Sequence, residues 1–290
     1  MKSGFVPVVG RPNVGKSTLV NSLVGTKVAI TSPRPQTTRT NIRGVFNGDD
    51  IQVVFVDTPG LHRPRTALGA RLNSVVGASL ADADAVVFVI DATGKIGPGD
   101  RLIAGRLVAA ATPVVCVVNK SDLAGPDEVV ERLAVAGEWG FAAYVPVSAL
   151  EGRNLDPIVD ELRAMLPEGP QFFPLDMPTD QTEEFLVGEI IREKFLGRLR
   201  EELPHSLAVV VEEILLQPNG ITRVIAKLIV ERDSQLGIVV GKGGSLIKEA
   251  GSAARVELER RLATRIHLDL RAKVVKDWQE HPGAIERLGL

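Results

Sequence analysis

Gly10-Arg11-Pro12-Asn13-Val14-Gly15-Lys16-Ser17 stands between the apolar run Phe5 to Val9 and a helical pattern of Leu19, Val20, Leu23 and Val24 that Gly25 ends. A strand, a glycine-bounded loop and a helix in direct succession leave few folds open. Two glycines five apart, followed by Lys and Ser, wrap backbone N–H groups around a polyphosphate. Gly10 and Gly15 permit the positive φ and close approach that a Cβ would block. Lys16 can reach the β- and γ-phosphates as a point charge, and the Ser17 hydroxyl can ligate Mg²⁺. The helix begun here turns its partial positive end towards the anion. The expected phosphate site therefore runs from Gly10 through Arg11, Pro12, Asn13, Val14, Gly15, Lys16 and Ser17 to Thr18.

Three further segments follow in a fixed order, each at the end of an apolar strand. Asp57-Thr58-Pro59-Gly60 closes Ile51 to Val56. There a carboxylate can hold Mg²⁺ through water, and the Gly60 N–H can meet a γ-phosphate. Asn119-Lys120-Ser121-Asp122 closes Val114 to Val118. The Asp122 carboxylate can accept from the N1–H and exocyclic amine of guanine, a donor pair that adenine lacks. Lys120 can lay its stem over the base while Asn119 braces the loop. Ser148-Ala149-Leu150 closes Ala143 to Val147 and offers a backbone N–H to guanine O6. The expected ligand is a guanine nucleotide, GTP or GDP.

Between the first two motifs, Pro33-Arg34-Pro35-Gln36-Thr37-Thr38-Arg39 is polar and proline-interrupted, and it reads as a loop. A switch segment needs a hydroxyl that closes over Mg²⁺ when a γ-phosphate is present. Thr37 and Thr38 are the candidates, with Thr38 favoured. Many GTPases place a glutamine directly after the Asp-x-x-Gly motif; here that position is Leu61. Leucine cannot orient water, so slow intrinsic hydrolysis is expected, with Lys16, Thr38 and Gly60 as the catalytic set.

Up to about Leu166, apolar strands alternate with stretches of helical length, which predicts a mostly parallel sheet with helices on both faces. Pro7 falls inside the first strand, where a local gap costing about 1 kcal/mol is expected. Pro167 to Pro178 contains four prolines and reads as a semi-rigid linker. The expected domains are residues 1–168, a linker at 169–181, and residues 182–290. In the second domain, Glu184 to Leu203 has helical spacing. Strands Leu207–Leu215 and Thr222–Glu231 flank the turn-forming Gln217-Pro218-Asn219-Gly220. A helix, the tight loop Gly241-Lys242-Gly243-Gly244, a second helix and a strand at Arg265–Val275 follow. A Gly-x-x-Gly loop lets a nucleic-acid backbone pass close to the main chain, and this element order is that of an α+β type II KH domain. Gly241, Lys242, Gly243, Gly244, Lys248 and Arg255 are the candidate RNA contacts.

Global charge says little, because the formal net charge is -2. From Ser234 to Lys276, however, nine Lys or Arg face four acids, an excess suited to phosphate contact. The single cysteine, Cys116, lies in an apolar strand and reads as a buried hydrophobe. One cysteine and four histidines give no zinc constellation. No run approaches the ~20 apolar residues of a membrane span, so a cytoplasmic protein is expected and any membrane contact would be peripheral.

These residues resemble the Era-type family of bacterial GTPases. The resemblance covers nearly the whole chain: the four nucleotide motifs, Gln36-Thr37-Thr38-Arg39, Leu61-His62, Glu189-Ile190-Ile191-Arg192-Glu193-Lys194, Glu202-Leu203-Pro204 and Gly241–Gly244. It implies GTP hydrolysis with Mg²⁺, binding to the 3′ end of 16S ribosomal RNA, and a part in maturation of the 30S subunit by a monomeric protein. A membrane-linked or cell-cycle role is the alternative. Relatives with Asn at the position of Asn13 bind K⁺ there, which implies K⁺ as a second cofactor and Asn13 as a further catalytic residue.

Overall fold

The computed structural model describes residues 1–34, 36–61, 64, 66–200 and 203–290. Pro35, His62 and Glu202, each part of a segment singled out above, lie outside the described residues. The chain forms two compact units, one holding most of residues 1–180 and the other residues 181–290.

The first unit is a six-stranded sheet in the order β2-β3-β1-β4-β5-β6. Its strands are β1 (Lys2–Val9), β2 (Ile42–Asn47), β3 (Ile51–Asp57), β4 (Val86–Asp91), β5 (Val114–Asn119) and β6 (Ala143–Pro146). Its helices are α1 (Lys16–Val24), α2 (Ala67–Ala81), α3 (Pro98–Ala110), α4 (Pro126–Gly137) and α5 (Asp156–Met165). β3 and β5 are buried at every residue, which is why they read as unbroken apolar runs. Val9, Phe88, Cys116, Ile103, Leu107 and Ala136 join α3 and α4 to the sheet in one core. Prolines stand at the first turn of α3, α4 and α5, where their missing N–H has no intrahelical partner to lose.

β2 carried no strand signal in the sequence reading. It pairs antiparallel with β3 from Ile42↔Asp57 to Asn47↔Gln52 and makes the sheet mixed at its edge. Pro7 is accommodated in β1 by where the ladder begins. β1 pairs with β4 only at Val8 and Val9, while before Pro7 the Phe5 N–H donates to Asp84 Oδ2 at 2.7 Å. The alternation of a strand puts the Pro7 nitrogen on that same side, at the gap between the two attachments.

The proline-rich segment after α5 is strapped to the edge of this unit. Gln52, fully buried in β3, accepts from the Phe172 and Phe173 N–H groups at 2.7 and 3.0 Å and donates to Phe173 O at 2.8 Å. The Val45 N–H donates to Pro178 O, Asn47 donates to Leu175 O, and the Phe172 ring packs on Phe5 at 4.9 Å.

The second unit is a three-stranded sheet, β7 (Ala208–Leu216), β8 (Ile221–Val230) and β9 (Arg265–Val274), in which β7–β8 is antiparallel and β8–β9 parallel. Its helices are α6 (Glu183–Leu196), the short α7 (Leu203–Ser206), α8 (Asp233–Val240), α9 (Ser245–Leu262) and α10 (Pro282–Arg287). α6 ends at Leu196, short of the Leu203 that periodicity predicts, in a tightened last turn where the Arg198 and Leu199 N–H groups both donate to Phe195 O. Thr182 caps its start by accepting from the Phe185 N–H. Val187, Ile191, Phe195, Val224, Leu228 and Leu258 form the shared core of this unit. Arg192 is buried beside Glu189 in a two-bond ion pair, both bonds 2.7 Å, so part of the Glu189–Lys194 stretch is internal.

Candidate functional site

The loop between β1 and α1 is shaped by its glycines. A Cβ on Gly10 would stand 2.4 Å from Val89 O, and one on Gly15 (φ +97°) 2.2 Å from Asn119 Nδ2. Asn13 takes a left-handed φ of 64° and is exposed at the loop's tip. Lys16 lies under the loop, donating to Gly10 O at 3.2 Å and Arg11 O at 3.0 Å. Burial draws its pKa down to about 8, partly opposed by Asp57. A polyphosphate in the loop would stabilise the ammonium form and raise that pKa again.

Three oxygens converge beside it. Ser17 Oγ and Thr38 Oγ1 both donate to Asp57 Oδ2, at 2.7 and 2.9 Å, and lie 3.0 Å from each other. The second carboxylate oxygen, Asp57 Oδ1, is buried with no hydrogen-bond partner among the described residues. Burial raises the Asp57 pKa against the opposing pull of Ser17, Lys16 and Thr38. Two hydroxyls and a carboxylate with an unmatched buried oxygen form an all-oxygen donor set that fits a hard divalent cation. Thr37, the neighbouring hydroxyl, is half-buried where Thr38 is buried.

Thr58 and Gly60 act through the turn they build. The Thr58 hydroxyl donates to Val8 O at 2.8 Å, so the side chain faces β1 and not the loop. Gly60 lies so close to the phosphate loop that a Cβ would meet Pro12 N at 2.8 Å. Leu61 is packed against the sheet core and presents no polar group.

The base-recognition segments meet at the ends of β5 and β6. Asn119 ties the two neighbouring loops together: its Nδ2 donates to Val14 O at 2.9 Å, and its Oδ1 accepts from the Ala149 N–H at 3.0 Å. Of the backbone N–H groups in the 148–150 turn, that of Ala149 is thus already committed to Asn119. Asp122 accepts from Ser148 Oγ at 2.6 Å. Lys120 (φ 69°) is held by Asp91 at 2.6 Å. Burial pushes the Asp91 carboxyl up, but its bonds from Lys120 and Thr93 outweigh that and hold it below the ordinary range. Asp91 was not singled out from the sequence, although it ends β4 as Asp57 ends β3, and a carboxylate at a strand end was the available signal.

In the second unit, Gly241 (φ 78°), Gly243 (φ 60°) and Gly244 (φ 77°) all require positive φ between α8 and α9. Lys242 and Gly243 are exposed. Beside this turn a cleft runs between α9 and β9, lined by Ile247, Lys248, Gly251, Arg255, Leu268 and Leu270. Arg255 is half-exposed and pairs with Glu259 at 3.3 Å, so it serves the helix face as well as the cleft.

A sheet of this order, with a phosphate loop after its central strand, defines a phosphate-loop GTPase, here followed by an RNA-binding KH domain. Comparison with known proteins agrees. Residues 5–120 match the family described as 50S ribosome-binding GTPase, and residues 202–279 match the KH domain family. The GTPase Era of Mycobacterium avium (strain 104) is 51% identical over 294 residues, covering 99% of this chain and 98% of the relative. A crystal structure of a single-residue variant of Aquifex aeolicus Era bound to GDP.AlF4- superposes with a TM-score of 0.96 at 39% identity, covering 100% of this chain and 99% of that one. Era in complex with MgGDPNP and nucleotides 1506-1542 of 16S ribosomal RNA superposes at 0.94, also at 39% identity and with the same coverage. The chain belongs to the Era family of GTPases. It hydrolyses GTP.

Proposed function

We propose that this chain is a GTP-controlled switch that binds the 3′ end of 16S ribosomal RNA through its KH domain and assists assembly of the 30S subunit. The observation that carries the reading is the match, over the whole chain, to an Era structure that holds MgGDPNP and a 16S ribosomal RNA segment together. In this reading Ser17, Thr38 and Asp57 hold Mg²⁺, which supplies charge neutralisation at the β- and γ-phosphate oxygens. The amides from Gly10 to Thr18 cradle the phosphates, and Lys16 adds its charge. Asp122 reads the guanine edge, Lys120 covers the base, and Asn119 holds the two loops in register. With Ala149 N–H bound to Asn119, the O6 contact falls to the Leu150 amide of the same turn. Pro59 and Gly60 bring main chain to the γ-phosphate side.

Leu61 leaves the attacking water without a side-chain partner, so intrinsic turnover is slow. Asn13, exposed at the tip of the phosphate loop, is the proposed K⁺ ligand. GTP turnover in K⁺ is expected to exceed that in Na⁺, and Asn13→Ala is expected to remove the difference. Equal wild-type rates in the two salts would refute the assignment.

The RNA half is tested by titrating a labelled 3′-terminal 16S oligonucleotide against the protein without nucleotide, with GDP and with a non-hydrolysable GTP analogue. Gly243→Asp is the matched variant. Open space surrounds Gly243, so the new side chain meets no neighbour, and Asp tolerates the left-handed φ better than most residues. The expected result is tightest binding with the GTP analogue, lost in the variant. Equal affinity in all three states would refute nucleotide control, and wild-type affinity in Gly243→Asp would remove the 241–244 loop from the RNA site.

A further inference from the structure

The phosphate loop is clamped on two sides by main chain. Gly10 packs on Val89 O, and Pro12 packs on Gly60, in both cases too closely for a Cβ. The third side is held by Asp100, a side chain that no nucleotide motif contains. Arg11 Nε leaves the loop and donates to Asp100 Oδ1 at 2.8 Å. Asp100, in the first turn of α3, is 1% exposed. Its other oxygen, Oδ2, accepts from the Gly97 N–H at 2.9 Å, at the start of its own helix. The carboxylate therefore spends one oxygen on α3 and the other on the phosphate loop. Gly99 makes room for the arrangement, since a Cβ there would stand 2.8 Å from Arg11 Cδ.

The consequence lies in what else Arg11 does. Its carbonyl, with that of Gly10, accepts from Lys16 Nζ. The residue whose main chain receives the loop's lysine is thus the one whose side chain is anchored in α3. We propose that Asp100 is a positioning residue for the nucleotide site: through Arg11 it fixes the backbone of the phosphate loop in the shape that receives the β-phosphate. Because Asp100 is buried, removing Arg11 alone strands its carboxylate and is expected to lower the melting point as well. The effect that marks a positioning role falls on affinity, because a preorganised loop gives up less freedom when the nucleotide binds. GDP and GTP place their β-phosphates in the same loop, so both are held equally, which is uniform binding.

The proposal rests on the GTPase reading and not on the RNA reading. It is tested with Arg11→Ala, Asp100→Asn and the double variant, all in the full chain. Asn at 100 keeps an acceptor for the Gly97 N–H, so helix α3 retains its cap. Fluorescent GDP binding is measured per active site, counted by stoichiometric titration, alongside kcat, KM and thermal melting. Each single variant is expected to weaken GDP and the GTP analogue alike by roughly tenfold, the scale of one hydrogen bond to a charged group. KM should rise in step while kcat stays within about twofold. The double variant should be no weaker than Arg11→Ala alone, since both changes remove one contact. Wild-type affinity in folded Arg11→Ala, or losses that multiply in the double variant, would overturn the proposal. A lowered melting point with unchanged affinity would do the same, because that is the signature of a structural pair. Nucleotide binding by the wild type tests the GTPase reading separately.

Discussion

At the scale of single residues, the molecule separates groups that it keeps poised for charge from one that it keeps neutral. Lys16 and Asp57 are both buried, and each carries a cost that a ligand would relieve: a pKa drawn down to about 8 for the lysine, an unmatched oxygen for the aspartate. Cys116 is buried in β5 with no such relief. Burial, reinforced by the nearby Asp100 charge, pushes its thiol from 9.0 up to about 12. At pH 8 only about one folded molecule in ten thousand would carry the thiolate. Iodoacetamide is therefore expected to spare Cys116 in the native protein and to label it in urea, as mass spectrometry would show. The same shift has a stability consequence. The folded pKa lies above the unfolded one, so above pH 9 the unfolded state holds fewer protons and stability falls as pH rises. The slope from this thiol is about 1.4 kcal/mol per pH unit. Urea titrations of the wild type and Cys116→Ala should show a constant gap below pH 9 and a narrowing one above it. A gap that does not change with pH would mean that the thiol ionises freely in the fold.

At the scale of elements, the strap along β2 and β3 depends on Gln52. Its amide meets the Asn47 side chain and the main chain at Phe172 and Phe173, four bonds from one fully buried side chain. Gln52→Leu keeps the volume and strands the Phe172 and Phe173 N–H groups, while Phe173 O keeps its bond from the Gln171 side chain. The expected loss is about 2–4 kcal/mol in urea unfolding, with faster proteolysis between residues 169 and 180. Unchanged stability would mean that the strap peels away at no cost. This element also shows where sequence reading stops. Pro167–Pro178 announces its stiffness through composition, but what it lies against is a matter of tertiary contact, and Gln52 inside an apolar strand gives no sign of its partners. β2 was missed for a related reason: it is an edge strand of mixed burial, and its pairing rests on the ladder with β3 and not on an apolar run of its own. α6 looked longer than it is because Leu199 and Leu203 continue its apolar spacing into the core after the helix has ended. By contrast, the phosphate loop, Asp57, Asn119 and the Gly241–Gly244 turn were legible, because each needs a particular residue type at a particular backbone geometry. Asp91 and Asp100 escaped because their roles lie in partners distant in sequence.

At the scale of the full chain, the question is whether two sites in two units share a free energy. The proposed nucleotide ligands Ser17, Thr38 and Asp57 converge in the first unit, and the Gly241–Gly244 turn belongs to the second. If the GTP analogue tightens RNA binding by some factor, linkage requires RNA to tighten the analogue by the same factor, whatever path joins the sites. Couplings between binding sites typically amount to 1–3 kcal/mol, or about five- to 150-fold. The prediction is quantitative without any knowledge of that path. The affinity of the analogue, measured by fluorescence with and without saturating 3′-terminal 16S oligonucleotide, should change by the ratio that the RNA titrations give. GDP should show a smaller ratio, again equal in both directions. Gly243→Asp should bring both ratios to one while leaving nucleotide affinity in the absence of RNA unchanged, since the substitution lies wholly within the KH unit. Reciprocal ratios of one in the wild type would show two independent binding sites on one chain, and the switch would then have to be completed by the ribosomal particle.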